Sequence, residues 1–308
     1  MRNAVMEHAG SHAARRWKWR DFLALCKFRV VTVLLVCALV GMALATPLAP
    51  PLHAMLYGLL GIGLSASGAA AFNHILDRRI DALMRRTERR PLATQRLPTG
   101  YALSWASFLS VTGVGLLWWQ VNPLTAMLTL ASLLGYALIY TAFLKRATPQ
   151  NIVIGGAAGA APPLLGWTAI SGEITAEPLL LVLIIFAWTP PHFWALALHK
   201  CDEYAKAGVP MLPVTHGKEF TRLQIWLYTW LTVASTLLPF VIGMSGVFYL
   251  IGIVALNARF VFWNWKVWRG RDDRAPMGAF LFSIRYILAV FAILLVDHYV
   301  PFYLGTFS

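Results

Sequence analysis

GLSASGAAAFNHILDRRIDALMRRTERRPL, Gly63 to Leu92, changes character midway. As far as Phe72 it is apolar and built of small residues, fit to lie in hydrocarbon against another helix. Then Asn73, Asp77 and Asp81 follow at intervals of four, with Arg78, Arg79, Arg85, Arg86, Arg89 and Arg90 crowded around and behind them. On a helix, positions i, i+4 and i+8 drift only modestly around the axis, so the amide and the two carboxylates share one face over two turns. The stretch therefore reads as the end of a membrane helix that carries its polar face out of the bilayer.

The rest of the chain agrees. Hydrophobic residues make up 58% of the 308, charged residues 13%, and mean hydropathy is +0.63. An ordinary soluble domain carries about 25% charged residues. Apolar runs recur over 28–46, 53–74, 101–120, 124–143, 152–170, 178–198, 223–243, 246–265 and 277–297. Each is long enough to cross a hydrocarbon core of about 30 Å. Long unbroken runs are helices rather than barrel strands. The expected fold is all-α, a polytopic bundle of about nine transmembrane helices with a cytoplasm-facing cavity.

The net charge of +13 follows the same pattern. Seven Lys and Arg precede or begin the first span (Arg2 to Arg29), and seven lie between the second and third (Arg78 to Arg96). Lys145 and Arg146, the group from Lys200 to Arg222, and that from Arg259 to Arg274 fall at later turns of the same parity. The intervening turns, near Pro47–Leu52, Asn122–Pro123, Ser171–Glu177 and Gly243–Ser245, carry none. The positive-inside rule makes the basic face cytoplasmic. The charge is thus topology rather than a nucleic-acid footprint. The N-terminus is expected inside and the C-terminus outside, in a bacterial-type inner membrane.

We expect a polar cytoplasmic tail over 1–27, one intramembrane domain over 28–298 and a short outer tail over 299–308. The basic lead-in, apolar run and Ala43–Ala45 imitate a cleavable signal. The parity argument works best with that span retained, so no cleavage is expected. Cys26, Cys37 and Cys201 imply no disulfide framework. Pro162–Pro163 and Pro190–Pro191 are expected to kink the fifth and sixth spans, the freed carbonyls facing protein or a cavity.

Two carboxylates and an amide oxygen are hard donors suited to Mg²⁺, which is usually held by one or two carboxylates plus substrate phosphates. Guanidinium groups behind them can fork onto phosphate oxygens. On spacing alone a plainer reading also stands, in which Asp77 and Asp81 pair with neighbouring arginines at the membrane boundary. NHILDRRIDALMRRTERRPL, however, resembles the N-x-x-x-D-x-x-x-D signature of the UbiA-type intramembrane prenyltransferases. The resemblance implies that Asn73, Asp77 and Asp81 form the catalytic and metal-binding face, holding Mg²⁺ against the diphosphate of an isoprenoid donor. Arg85, Arg86, Arg90, Lys145 and Lys200 would then contact the diphosphate. Arg79 departs from the pattern, since many relatives carry another acid there.

The second constellation, PPHFWALALHKCDEYAKAGVPMLPVTHG (Pro190–Gly217), also departs. Where the superfamily has a second pair of acids this chain has Lys200 and Tyr204, leaving Asp202 or Glu203 to supply a metal oxygen. HFWALAL with DEYAKAGVPMLPV, and YTAFLKRATPQNIVIGGAAGAAPPLLGW (Tyr140–Trp167), resemble the heme O synthase branch. That implies farnesyl diphosphate and heme B as substrates, Mg²⁺ as cofactor, and association with a heme A synthase. His192, His199 and Tyr204 become candidate heme contacts. His192 and His199 stand about 10 Å apart along one helix, so at most one ligates a given iron. Two alternatives remain at this point: a prenyltransferase for a phenolic acceptor such as 4-hydroxybenzoate, and a transporter, for which a mid-span Arg285 would mark a substrate path.

Overall fold

The computed structural model describes residues 17–84, 87–144 and 147–303. Among them there are helices and no strands, as expected for lipid-embedded backbone that must satisfy its own hydrogen bonds. In chain order the helices are α1 (Trp19–Leu25), α2 (Phe28–Leu44), α3 (Leu52–Asp81), α4 (Thr99–Gln120), α5 (Pro123–Leu134), α6 (Asn151–Ala160), α7 (Pro162–Ser171), α8 (Ala176–His199), α9 (Cys201–Lys206), α10 (Leu212–Thr215), α11 (Gly217–Val241), α12 (Val247–Arg269) and α13 (Ala275–Tyr303). Eight helical segments are long and apolar enough to cross a membrane, taking α6 with α7 and α5 with the π-helical stretch that follows it. A ninth appears when α1 and α2, meeting at 48°, count as one.

Small residues set the closest approaches. A Cβ on Gly41 would overlap the Pro163 carbonyl, and one on Gly166 would overlap that of Ala38, so α2 and α7 touch backbone to backbone. Gly61, Ser65 and Gly68 of α3 meet Gly113, Ser110 and Ala106 of α4 in the same way. This is how helices associate where no hydrophobic effect draws them together. α8 is the inner helix, packed against α6, α7, α11 and α13. Its Leu181, Ile184 and Ile185 join Tyr249, Phe260, Tyr286 and Phe291 in the largest buried cluster.

Three local features refine the expected pattern. The chain is already folded before residue 28: Phe22 and Leu25 of α1 are buried, and Trp19 and Phe22 pack on Trp105 of α4 at 5.2 and 5.7 Å. Aromatic contact holds this part of the supposed tail against the bundle. The fifth span does break at Ala161, ahead of Pro162, but α8 runs through Pro190–Pro191 as one helix. Pro191 offers no N–H to the Ala187 carbonyl, and the Thr232 hydroxyl of α11 donates to it instead at 3.0 Å. Finally, α5 continues as a π-helical segment, Gly135–Leu144. Thr141 donates to the carbonyl five residues back, Tyr136, at 2.8 Å. Thr189 and Thr229 in ordinary helix donate four back.

Candidate active site

The site is assembled at the end of α3 by three other pieces of chain. Asn73, Asp77 and Asp81 are all buried, with 4%, 1% and 4% of their surface exposed. The Asn73 amide donates to Asp77 Oδ2 at 2.9 Å and to Thr141 Oγ1 at 3.3 Å. The π-helical segment is therefore what brings the Thr141 hydroxyl to the acidic face, a common use of π turns. Tyr136 and Tyr140 of the same segment stand close enough to Asp77 to interact electrostatically.

Behind Asp81 the chain folds back on itself. The Thr87 hydroxyl donates to the Asp81 carbonyl at 3.0 Å, and Arg90 Nη1 reaches Asp81 Oδ2 at 2.7 Å. On the other side, the turn between α1 and α2 puts Lys27 in the left-handed region at φ 47°, and its ammonium donates to Asn73 Oδ1. α1 itself is fixed by Asp21, which accepts from the Lys18 amide at 3.0 Å and lies 3.7 Å from Arg96. A cavity of about 530 Å³ opens among these pieces, lined by Arg20, Lys27, His74, Arg89, Arg90 and Arg96, with Asp21 at its wall. His74 is 3% exposed and neither ring nitrogen has a hydrogen-bond partner among the described residues.

The face is thus acidic and buried, while the space beside it is strongly cationic. Both plain pairing and ligand holding are served by such an arrangement, and the donor chemistry separates them. Asp77, Asp81 and the Asn73 carbonyl are hard oxygens on adjacent turns, which fits Mg²⁺. Among the described residues no cluster of three His, Cys, Asp or Glu could cage a metal alone. An ion held on this face would take its remaining oxygens from water or a ligand, and the cationic cavity opens beside it.

Of the other predicted residues, Arg85, Arg86 and Lys145 lie outside the described residues. Lys200 Nζ turns to Glu203 at 2.6 Å and Asp202 is exposed; neither has a hydrogen bond or ion pair to the acidic face. Tyr204 is buried on α9, close enough to Tyr140 for an electrostatic interaction. His199 is exposed. His192 is stacked between Trp188 and Phe280, with centroids at 4.3 and 4.6 Å, and its Nδ1 is 2.7 Å from Ser283 Oγ. Sequence reasoning passed over Lys27, counted as a topology marker, and His74, which adjoins the motif. Thr141 carried no sequence signal, because its reach depends on the π turn.

A family model described as the UbiA prenyltransferase family matches residues 34–296. The chain belongs to the UbiA prenyltransferase family. That removes the transporter alternative, since the family's members are named for prenyl transfer. A protoheme IX farnesyltransferase of Pseudomonas putida is 60% identical over 287 residues, covering 93% of this chain and 97% of its own. One from Hahella chejuensis is 56% identical, covering 92% and 95%. Among solved structures, one described for digeranylgeranylglyceryl phosphate synthase superposes with a TM-score of 0.78 at 18% identity, over 91% of this chain and 98% of that one. A UbiA homologue from Archaeoglobus fulgidus bound to DMAPP and Mg²⁺ gives 0.60 at 16%, over 89% and 99%. At such identities the likeness is one of fold, and it is the UbiA fold that these helices form.

Proposed function

We propose that this membrane prenyltransferase transfers the farnesyl group of farnesyl diphosphate to a vinyl group of heme B, with addition of water, giving heme O and diphosphate. The observation that carries the reading is the buried Asn73–Asp77–Asp81 face beside a cationic cavity, in a chain about 60% identical to proteins named for that reaction. The acceptor follows from those names, and with it the phenolic alternative is set aside.

Ionisation of an allylic diphosphate breaks the C1–O bond, and the electron pair leaves with the diphosphate. Charge builds on the departing oxygens, so fixed cations aimed there lower the barrier. Lys27 and Arg90 rest on Asn73 and Asp81 in this structure. Asn73, Asp77 and Asp81 would hold the divalent ion, and Lys27 and Arg90, which line the cavity beside them, would contact the diphosphate. Bound Mg²⁺ supplies Lewis-acid charge neutralisation at the leaving group. Arg20, Arg89 and Arg96 extend the positive field, and Arg85, Arg86, Lys145 and Lys200 are proposed to join it. The farnesyl cation takes the π electrons of the heme vinyl group at its outer carbon. Water adds to the inner carbon and loses a proton, leaving a hydroxyethylfarnesyl side chain. No protein nucleophile is needed.

For heme we propose contacts from His192, His199 and Tyr204. Asp202 is proposed as a supplementary metal oxygen. We propose that this face opens to the cytoplasm from a bacterial inner membrane, with the N-terminus inside, a reading supported by the basic turns. The product, too apolar to leave the bilayer, is proposed to pass to an associated heme A synthase. The reading is tested by incubating purified protein with farnesyl diphosphate, with and without heme B and Mg²⁺. Pyrophosphate and heme O are expected in equal amounts only when both are present. Pyrophosphate without a farnesylated heme would overturn the acceptor, and turnover in excess chelator would overturn the metal.

A further inference from the structure

Two arginines have no place in the site. Arg259 is exposed ten residues before the end of α12 at Arg269, and Arg285 is exposed ten residues after the start of α13 at Ala275. At 1.5 Å per residue both lie about 15 Å in from the turn that joins the helices. The antiparallel register confirms the match in depth. Trp263 packs on Gly278 where a Cβ would overlap it, Phe260 stacks on Tyr286 at 4.3 Å, and Ile293 covers Gly252. Arg259 is one turn from Trp263, and Arg285 is two turns from Gly278 on the same stripe. Both therefore flank the outer edge of the α12–α13 seam, away from the buried face of Ile253, Asn257, Phe260 and Val290. Phe262, Leu281 and Leu288, within a turn of them, are exposed and apolar, as a lipid-facing surface should be.

The positive-inside rule accounts for basic residues at the turn but not for guanidinium groups this deep, which are expensive facing lipid. Nor does the protein neutralise them. Among the described residues neither has a carboxylate partner, and the same holds for Lys266 and Arg269. Instead aromatic faces hold the cations in place. Arg259 lies 5.2 Å from the Phe262 centroid and 5.9 Å from that of Trp263, and Lys266 lies 4.9 and 5.3 Å from the same two rings. Towards the turn, Arg269 sits 5.1 Å over Trp265, at a groove of about 260 Å³ that also takes in Lys266, Arg271 and the acid Asp272. The seam thus carries cations from mid-leaflet to surface, those of α12 set against rings, with its acid at the surface end.

We propose that the outer α12–α13 seam binds an anionic phospholipid, with Arg259 and Arg285 forked onto its phosphate and Lys266 beside them. The headgroup is drawn below its usual level, and the acyl chains run along Leu281 and Leu288. Net negative charge is required because Arg259 and Arg285 lie deep in the seam with no ion pair among the described residues, which a zwitterionic headgroup does not offset.

The test uses the full chain, purified and delipidated, then titrated in neutral detergent with phosphatidylglycerol or phosphatidylcholine, bound lipid being counted by native mass spectrometry. Wild type should retain phosphatidylglycerol at least tenfold better than phosphatidylcholine. Arg259→Leu and Arg285→Leu should each weaken phosphatidylglycerol about tenfold, about 1.4 kcal/mol by the usual conversion, and leave phosphatidylcholine unchanged. If the leucine variants do not accumulate, Arg259→Gln and Arg285→Gln serve with the same expectation. Undiminished preference for phosphatidylglycerol in the double variant would overturn the site. Displacement of the lipid by glycerol phosphate alone would make it a free-phosphate site, and displacement by farnesyl diphosphate a substrate route; either result overturns the proposal.

Discussion

Asp81→Asn separates holding a cation from holding a ligand. Asp81 and Arg90 form a short pair at 2.7 Å, with 6% and 22% of their side chains exposed. Removing one member of a fully buried pair costs about 3–5 kcal/mol, because the other charge is stranded. Here Arg90 opens on the cavity and the new amide oxygen still accepts a hydrogen bond, so the cost should fall to about 1–3 kcal/mol. Turnover should suffer more. Losing one of the two carboxylates from a metal–diphosphate clamp should slow ionisation about 100- to 1,000-fold, the size of effect seen when one preorganised electrostatic group is deleted. The assay is heme O formation at saturating farnesyl diphosphate, run beside thermal unfolding in the same detergent.

The second half of the experiment decides the matter. In Asp81→Asn/Arg90→Leu the stranded cation is gone, so unfolding should return most of the way to wild type. Turnover should remain at or below the single-variant level. If the Asp81–Arg90 pair were structural only, with neither member serving the reaction, the two readouts would recover together. Recovery of turnover in the double variant, or near-normal turnover in Asp81→Asn alone, would refute the clamp.

Lys27→Met should raise the KM for farnesyl diphosphate about tenfold, one charge-assisted hydrogen bond's worth, with little change in heme KM; steady-state titrations of each substrate check this. His192→Phe should do the reverse, raising heme KM while leaving the farnesyl diphosphate KM and the α8–α13 packing intact. Gly166→Val should abolish folded protein, measured as the monodisperse yield in detergent, because a Cβ there meets the Ala38 carbonyl and no rotamer relieves it. Asp297→Ala removes the acceptor of the Gly246 and Tyr249 amides, at 2.7 and 2.9 Å, that starts α12. It should cost about 1–2 kcal/mol of stability, as a lost cap does, with both KM values unchanged.

How much of this was legible beforehand depends on how local each feature is. Hydropathy located the spans because each is a continuous run. Spacing found the Asn73–Asp77–Asp81 face because one helix carries it, and it continues helical to Asp81, beyond the hydrophobic run. Arg90 was found because it lies nine residues on. Lys27 is 46 residues from Asn73, and nothing in CKFRVV marks it except charge, which the topology already explained. Thr141 depends on a π turn whose sequence, GYALIYTAFL, has the apolar content of any span. The double proline shows the same division: a local rule frees the Ala187 carbonyl, and the hydroxyl that meets it comes from a threonine on another helix, 45 residues away. Acids on one helix announce themselves, whereas the cations and hydroxyls that make them a site arrive from elsewhere in the chain. For this protein the proposed metal-binding face lies in one readable motif, whereas the cations proposed for the diphosphate are gathered by the tertiary structure.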